Sequence, residues 1–127
     1  MKLLLDTSLL IDVLRLRNQR REWLAGLVRG GHILSTTTLN IAEIYAGMRP
    51  AEEGRTEALL RGLELYELTG TSARLAGRLK HTWARKGHTL TLADTIVAAI
   101  AIERGCALLT DNRKDFPMSE VQLYPLP

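Results

Sequence analysis

Carboxylates stand at the ends of the apolar runs in this chain. Asp6 ends Lys2-Leu3-Leu4-Leu5 and precedes Thr7-Ser8. Asp94 opens the most apolar helical stretch, Thr95 to Ile102. Asp111 and Asp115 follow Ala107-Leu108-Leu109-Thr110, and only Asp12 lies elsewhere. A carboxylate at the edge of a buried segment is costly to desolvate unless something pairs with it. Several converging in one place hold a hard divalent cation. Glu43 joins this set. It sits in Ile41-Ala42-Glu43-Ile44-Tyr45-Ala46 and shares its helical face with Leu39, Ala46 and Gly47, none of which can pair with it. A donor set made only of oxygen suits Mg²⁺ or Mn²⁺ rather than zinc. His32, His81 and His88 lack ligand spacing with one another, and Cys106 is the only cysteine. A metal-dependent active site is the leading reading.

Each acid also has an ordinary role to set beside that reading. Asp6 lies after a strand and before a helix, where an aspartate caps the helix; one oxygen can cap while the other ligates. Glu43 can be a surface glutamate snorkelling at the edge of an amphipathic helix. Thr91-Leu92-Ala93-Asp94 has the spacing of a capping box, although the apolar helix that follows should bring its amino end deep into the fold. Asp111, Asn112 and Asp115 form a polar turn, so at most one or two of them should touch a metal.

The elements that must position these residues alternate. Lys2 to Leu5 reads as a strand, followed by helices over Thr7–Leu14 and Arg20–Arg29, the second stopped by Gly30-Gly31. His32 to Ser35 is a second strand. The Thr36-Thr37-Thr38 cluster supplies the cap for a helix from about Leu39 to Met48. A helix over Ala51–Leu63, a short strand over Leu65–Leu68 and a long helix over Ser72–Lys86 follow. Leu75, Leu79 and Trp83 share one face of that long helix. Ala93 to Arg104 is apolar nearly all round and should be central. Ala107–Thr110 and Val121–Tyr124 complete the strands. This order predicts an α/β fold, a three-layer α/β/α sandwich with a central, mostly parallel sheet. Ligands in such sheets sit beyond the carboxyl ends of the strands, where Asp6, the Thr36 cluster and Asp111 all fall.

Size and charge bound the rest. The 127 residues fit one domain, 1–127, with one proper core, and 46% hydrophobic residues is ordinary for a soluble globular protein. No apolar run reaches the ~18 residues of a membrane helix, and the start is too short in apolar core for a signal peptide. A cytoplasmic protein fits this pattern. The net charge of +3 is mildly basic, and most of the 17 cations are Arg, which grips phosphate with two prongs.

Taken in series, four segments resemble the PIN-domain ribonucleases, and in particular the VapC toxins of toxin–antitoxin pairs. They are Leu4-Leu5-Asp6-Thr7-Ser8, Ile41-Ala42-Glu43-Ile44-Tyr45-Ala46-Gly47, Leu92-Ala93-Asp94-Thr95-Ile96-Val97-Ala98-Ala99 and Leu109-Thr110-Asp111-Asn112-Arg113-Lys114-Asp115-Phe116. The likeness spans essentially the whole chain, in order. It implies that Asp6, Glu43 and Asp94 occupy the core acidic positions. The fourth position falls on Asn112, an amide, with Asp111 or Asp115 beside it to supply charge. It implies Mg²⁺, with Mn²⁺ able to substitute, an RNA substrate, a VapB-like antitoxin partner and a homodimer. Thr7, Ser8 and Thr110 fit roles in holding ligands or phosphate oxygens.

The reaction implied is hydrolysis of an RNA phosphodiester by metal-activated water, with Asp6, Glu43, Asp94 and Asp111 as catalytic acids and Asp115 as a further metal ligand. Without metal, close carboxylates repel and at least one should take up a proton. Arg113 and Lys114 are the first choice for phosphate contacts, with Asn112. Arg15, Arg17, Arg20 and Arg21 form a second cationic cluster, and the Arg74, Arg78 and Arg85 stripe reads as solvated surface. A phosphoacceptor receiver domain is a rival of similar size, but Asp6 is single and no Lys follows the last strand. A catalytically weak PIN-like binding module, acting through its antitoxin or RNA partner, is the other alternative.

Overall fold

The computed structural model describes residues 1–127. Strand β1 (Lys2–Leu5) leads into helices α1 (Thr7–Leu14) and α2 (Arg20–Arg29). Strand β2 (Ile33–Thr37), helix α3 (Thr38–Gly47), a 3-10 turn at Pro50–Glu52, helix α4 (Glu53–Arg61) and strand β3 (Glu64–Tyr66) follow. Helices α5 (Gly70–Arg85) and α6 (Leu92–Arg104), strand β4 (Ala107–Leu109) and a 3-10 turn at Arg113–Asp115 complete the chain.

The four strands form one sheet in the order β3-β2-β1-β4, and every pairing is parallel. Central β1 pairs Leu3 with Leu34 on one side and Leu4 with Leu108 on the other. Parallel sheets need cover on both faces, and the alternation of strand side chains supplies it. Leu3 and Leu5 point into a core with Leu9, Leu10, Leu24 and Ile44, under α1, α2 and α3. Leu4 and Leu108 point the other way, into a core with Leu79, Val97, Ile100 and Phe116, under α5 and α6. The layering is that of an α/β/α sandwich.

Local signals act where they should. Gly105 closes α6 in the left-handed conformation at φ 65°, which glycine adopts without strain. Residues 97–101 of α6 are all buried, as its all-round apolar surface demands. Arg74, Arg78 and Arg85 are exposed. No helix is long and apolar enough to cross a membrane.

Three expectations are corrected. Val121–Tyr124 forms no regular strand. It makes one parallel bridge, Leu108 to Leu123, because β4 offers only three residues and Pro125 has no N–H to extend the ladder. The second strand, expected to end at Ser35, runs on to Thr37, with Thr36 donating its hydroxyl to Leu5 O at 2.8 Å; the Thr36-Thr37-Thr38 cluster does supply the cap, through Thr37. The segment expected as one helix over Ala51–Leu63 is a 3-10 turn followed by the shorter α4, since Pro50 starts the turn and Gly62 caps the helix.

Candidate active site

The sheet reverses its winding between β1 and β4: the chain builds outward from β1 to β3, then returns to place β4 on β1's other edge. Such switch points open a crevice at the carboxyl ends of the strands. The candidate residues gather there.

Asp6 is the hub. It is buried, extended in backbone, and caps α1 by accepting from Thr7 N at 2.9 Å. Its Oδ2 accepts from the Thr110 hydroxyl at 2.8 Å, and its Oδ1 accepts from Asn40 Nδ2 at 3.2 Å. Its own N–H donates to Leu109 O at 3.0 Å, which ties the ends of β1 and β4 together. A buried carboxylate is stable only with such donors around it.

Asn40 was missed by sequence reasoning. It is fully buried and closes a capping box with Thr37: Asn40 N donates to Thr37 Oγ1 at 3.1 Å and Thr37 Oγ1 to Asn40 Oδ1 at 2.7 Å. With Oδ1 so held, Nδ2 faces Asp6, Thr7 Oγ1 at 2.9 Å and Glu43 Oε1 at 3.5 Å. The spacing Thr37-x-x-Asn40 was the available signal, because an amide can fill the capping-box role usually given to Glu or Gln.

Glu43 is exposed, as the surface reading expected, yet it is not free. Thr7 donates its hydroxyl to Glu43 Oε1 at 2.7 Å, which aims the carboxylate over the end of β1. Asp94 sits half-buried at the start of α6, and its N–H donates to Thr91 Oγ1 at 3.1 Å. Only this half of the anticipated capping box forms, since the Thr91 N–H makes no bond to the Asp94 side chain. Burial pushes the Asp94 carboxyl above its ordinary value. Thr91 opposes that, and the neighbouring charges of Asp6, Asp115 and Glu43 add to it.

The turn after β4 divides its acids. Asp111 is directed to Arg20, whose Nη2 donates to Asp111 Oδ1 at 2.8 Å. Asp115, half-buried in the 3-10 turn, is the one whose charge Asp94 feels. Asn112 N donates to Thr110 Oγ1 at 3.0 Å, and Asp111 N lies 3.5 Å from Ser8 Oγ. Arg113 and Lys114 are exposed beside them, with Arg113 Nη1 donating to Tyr124 O at 3.2 Å. Arg20 does not join a surface cationic cluster. It is buried, bonded to Asp111 and 3.6 Å from Asp12, because the turn after α1 folds it back into the protein.

No three His, Cys, Asp or Glu side chains stand together as a ready-made cation site. The donor set still fits an ion of the Mg²⁺ type. Such an ion keeps several waters and takes only one or two carboxylates directly. The mutual repulsion felt at Asp94 is what a cation would relieve.

Away from this crevice, α1, α2 and α4 enclose a cavity of about 460 Å³ whose lining is mostly apolar and includes Val13, Leu14, Leu24 and Leu59, with Arg21 and Arg55. Leu16 and Val28, both on its wall, are more than half exposed. Of the apolar residues on the early helices, Leu10 is core, while Leu14, Trp23 and Leu27 are only partly covered.

The PIN-domain family profile matches residues 3–120. The chain is 33% identical over 123 residues to ribonuclease VapC10 of Mycobacterium tuberculosis, covering 97% of this chain and 91% of that protein. It is 31% identical over 115 residues to ribonuclease VapC19 of the same organism, covering 91% and 92%. Among solved structures, VapBC2 from Rickettsia felis bound to a DNA fragment from its promoter superposes with a TM-score of 0.87, covering 98% of each chain at 19% identity. The last likeness speaks for the fold. The family profile and the two relatives speak for descent, and the chain belongs to the PIN-domain family, in its VapC branch.

Proposed function

We propose that this chain is a metal-dependent endoribonuclease and the toxin of a toxin–antitoxin pair. One observation carries the reading. Hydrogen bonds through Asn40 and Thr7 join Asp6 to Glu43 at the switch point of the sheet, and the charges of Asp6, Asp115 and Glu43 reach Asp94, adding to the burial that raises its carboxyl. Asp6 and Asp94 would bind Mg²⁺ directly, with Glu43 direct or through water. Asp115, Asn112 or Asp111 would complete the fourth corner. Bound there, the cation supplies charge neutralisation at the scissile phosphate and an activated water for hydrolysis. The protein's own part is orientation. Thr110 and Asn40 fix Asp6, Thr7 fixes Glu43, and the exposed Lys114 and Arg113 receive flanking phosphates.

The test is RNA cleavage by the purified chain with EDTA, then with Mg²⁺ or Mn²⁺ restored. Cleavage that appears only with metal supports the reading. Cleavage at full rate in EDTA removes the metal, and none under any condition favours the alternative of a PIN-like binding module.

The partner proposed is a VapB-like antitoxin. The apolar cavity between α1, α2 and α4, flanked by Arg21 and Arg55, suits an amphipathic segment with acidic side chains. The Rickettsia felis neighbour is itself a VapBC2 assembly on DNA. A homodimer is part of the same proposal, checked by the mass of the purified chain in solution.

A further inference from the structure

The turn after β4 carries Asp111, Asn112 and Asp115, and it has two kinds of anchor. Inside, Thr110 donates to Asp6 and accepts from Asn112 N. Outside, the only ion pair on the turn is Arg20 to Asp111. Arg20 is unusual for an arginine in being 7% exposed, and it stands between Asp12, itself 8% exposed, and Asp111. Of its donors only Nη2 makes a hydrogen bond, and buried Nε and Nη1 have no hydrogen-bond partner.

The chain goes to some length to place this guanidinium. Between α1 and α2, Leu16, Asn18 and Gln19 all adopt positive φ of 53–55°, a conformation that residues other than glycine rarely take. Asp12 holds that turn closed: its Oδ2 accepts from Asn18 Nδ2 at 3.0 Å and its carbonyl from Arg17 N at 2.8 Å. The product of this strained turn is Arg20, delivered 91 residues away in sequence onto Asp111. Arg20 is buried while Asp111 reaches it from the exposed turn, so losing Asp111 would leave the guanidinium without its one hydrogen-bonded carboxylate, which is costly for a buried charge.

We infer that Arg20 is a positioning residue for the cation site: it draws Asp111 outward and thereby fixes the turn that presents Asp115 and Asn112 to Asp6 and Asp94. This rests on the metal-dependent reading above. It places Asp111 outside the ligand set and assigns its carboxylate to holding the turn. Partners that orient a metal site from behind typically contribute about 10–100-fold in metal affinity.

The test is Mn²⁺ binding to the full chain, followed by the spectrum of free Mn²⁺, with thermal unfolding measured in parallel. Arg20→Gln is expected to weaken Mn²⁺ binding at least about tenfold, Arg20→Lys to recover part of the loss, and exposed Arg78→Gln to change nothing. Arg20→Gln combined with Asp115→Asn should lose less than the sum of the two, because both act through one turn. Should Arg20→Gln fail to fold, Asp111→Asn, at a partly exposed position, is expected to weaken binding in the same direction. Unchanged Mn²⁺ affinity in folded Arg20→Gln, or in Asp111→Asn, overturns the inference while leaving the metal site intact. A wild-type chain that binds no Mn²⁺ and cleaves no RNA overturns the functional reading and this inference together.

Discussion

Thr7 and Glu43, 36 residues apart, are joined by a 2.7 Å hydrogen bond from the Thr7 hydroxyl to Glu43 Oε1. The bond sets an exposed glutamate over the buried end of β1. An exposed hydrogen bond of this kind contributes about 1 kcal/mol, equivalent to roughly fivefold in rate if it is expressed in the transition state. Thr7→Val should slow RNA cleavage by about that factor, and Thr7→Ser should restore it. Steady-state kinetics at saturating Mg²⁺ measures the difference; equal rates for Thr7→Val and wild type would remove Thr7 from the site.

Asp94 makes a prediction about stability with a definite sign. Burial, with help from Asp6, Asp115 and Glu43, holds its carboxyl above the ordinary aspartate value. The native state therefore binds the proton more tightly than the unfolded chain. Stability from this group falls as pH rises from the ordinary value through the raised one, and the penalty is fully present above it. In metal-free protein, Asp94→Asn should unfold at a higher temperature than wild type near neutral pH. The gap should close below the ordinary aspartate range. Thermal unfolding in EDTA across pH decides it, and a variant less stable at every pH would contradict the assigned cost of burying the Asp94 charge.

Thr110 is fully buried and donates to buried Asp6. Replacing it by the similarly shaped valine leaves the Asp6 oxygen without that donor. Leaving a buried polar group unsatisfied costs about 1–3 kcal/mol. Urea denaturation of Thr110→Val should report a loss in that range, with a lowered midpoint and an unchanged slope.

Lys114 is exposed next to the acidic crevice, while Arg113 is partly engaged by the Tyr124 carbonyl. If Lys114 meets a phosphate of single-stranded RNA, Lys114→Ala should reduce the salt slope of binding by about 0.7. Arg78→Ala, on the distant solvated stripe, should leave the slope unchanged. Binding to RNA in Ca²⁺, over a series of salt concentrations, separates the two.

Much of this arrangement was legible in the sequence, for physical reasons that differ by residue. Asp6, Asp94 and the Asp111–Asp115 turn announce themselves because carboxylates at the borders of apolar runs are visible without a structure. Helices α1 and α2 follow directly from capping residues and from Gly30-Gly31. Glu43 was found for its apolar neighbours, yet its partner is a hydroxyl 36 residues earlier, which no local window contains. Arg20 reads from sequence as one of a cationic cluster with Arg15, Arg17 and Arg21, and arginine is rarely buried. Its burial depends on a turn of left-handed residues and on an aspartate 91 positions away. Asn40 was hidden by its capping role, although that role is what frees its amide to face the acids. Val121–Tyr124 carried strand composition, and the short β4 limited it to one bridge.

The central claim is that Asp6 and Asp94 hold the cation that hydrolyses RNA. Its most direct measurement is cleavage of a defined RNA by wild type, Asp6→Asn and Asp94→Asn at equal protein and saturating Mg²⁺, with Mn²⁺ binding recorded for each. Loss of a direct ligand should exceed the about 10–100-fold cost of losing a supporting partner. Both folded variants should therefore fall more than about 100-fold in rate and bind Mn²⁺ more weakly. Full-rate cleavage with Mn²⁺ still bound in either variant would contradict the account.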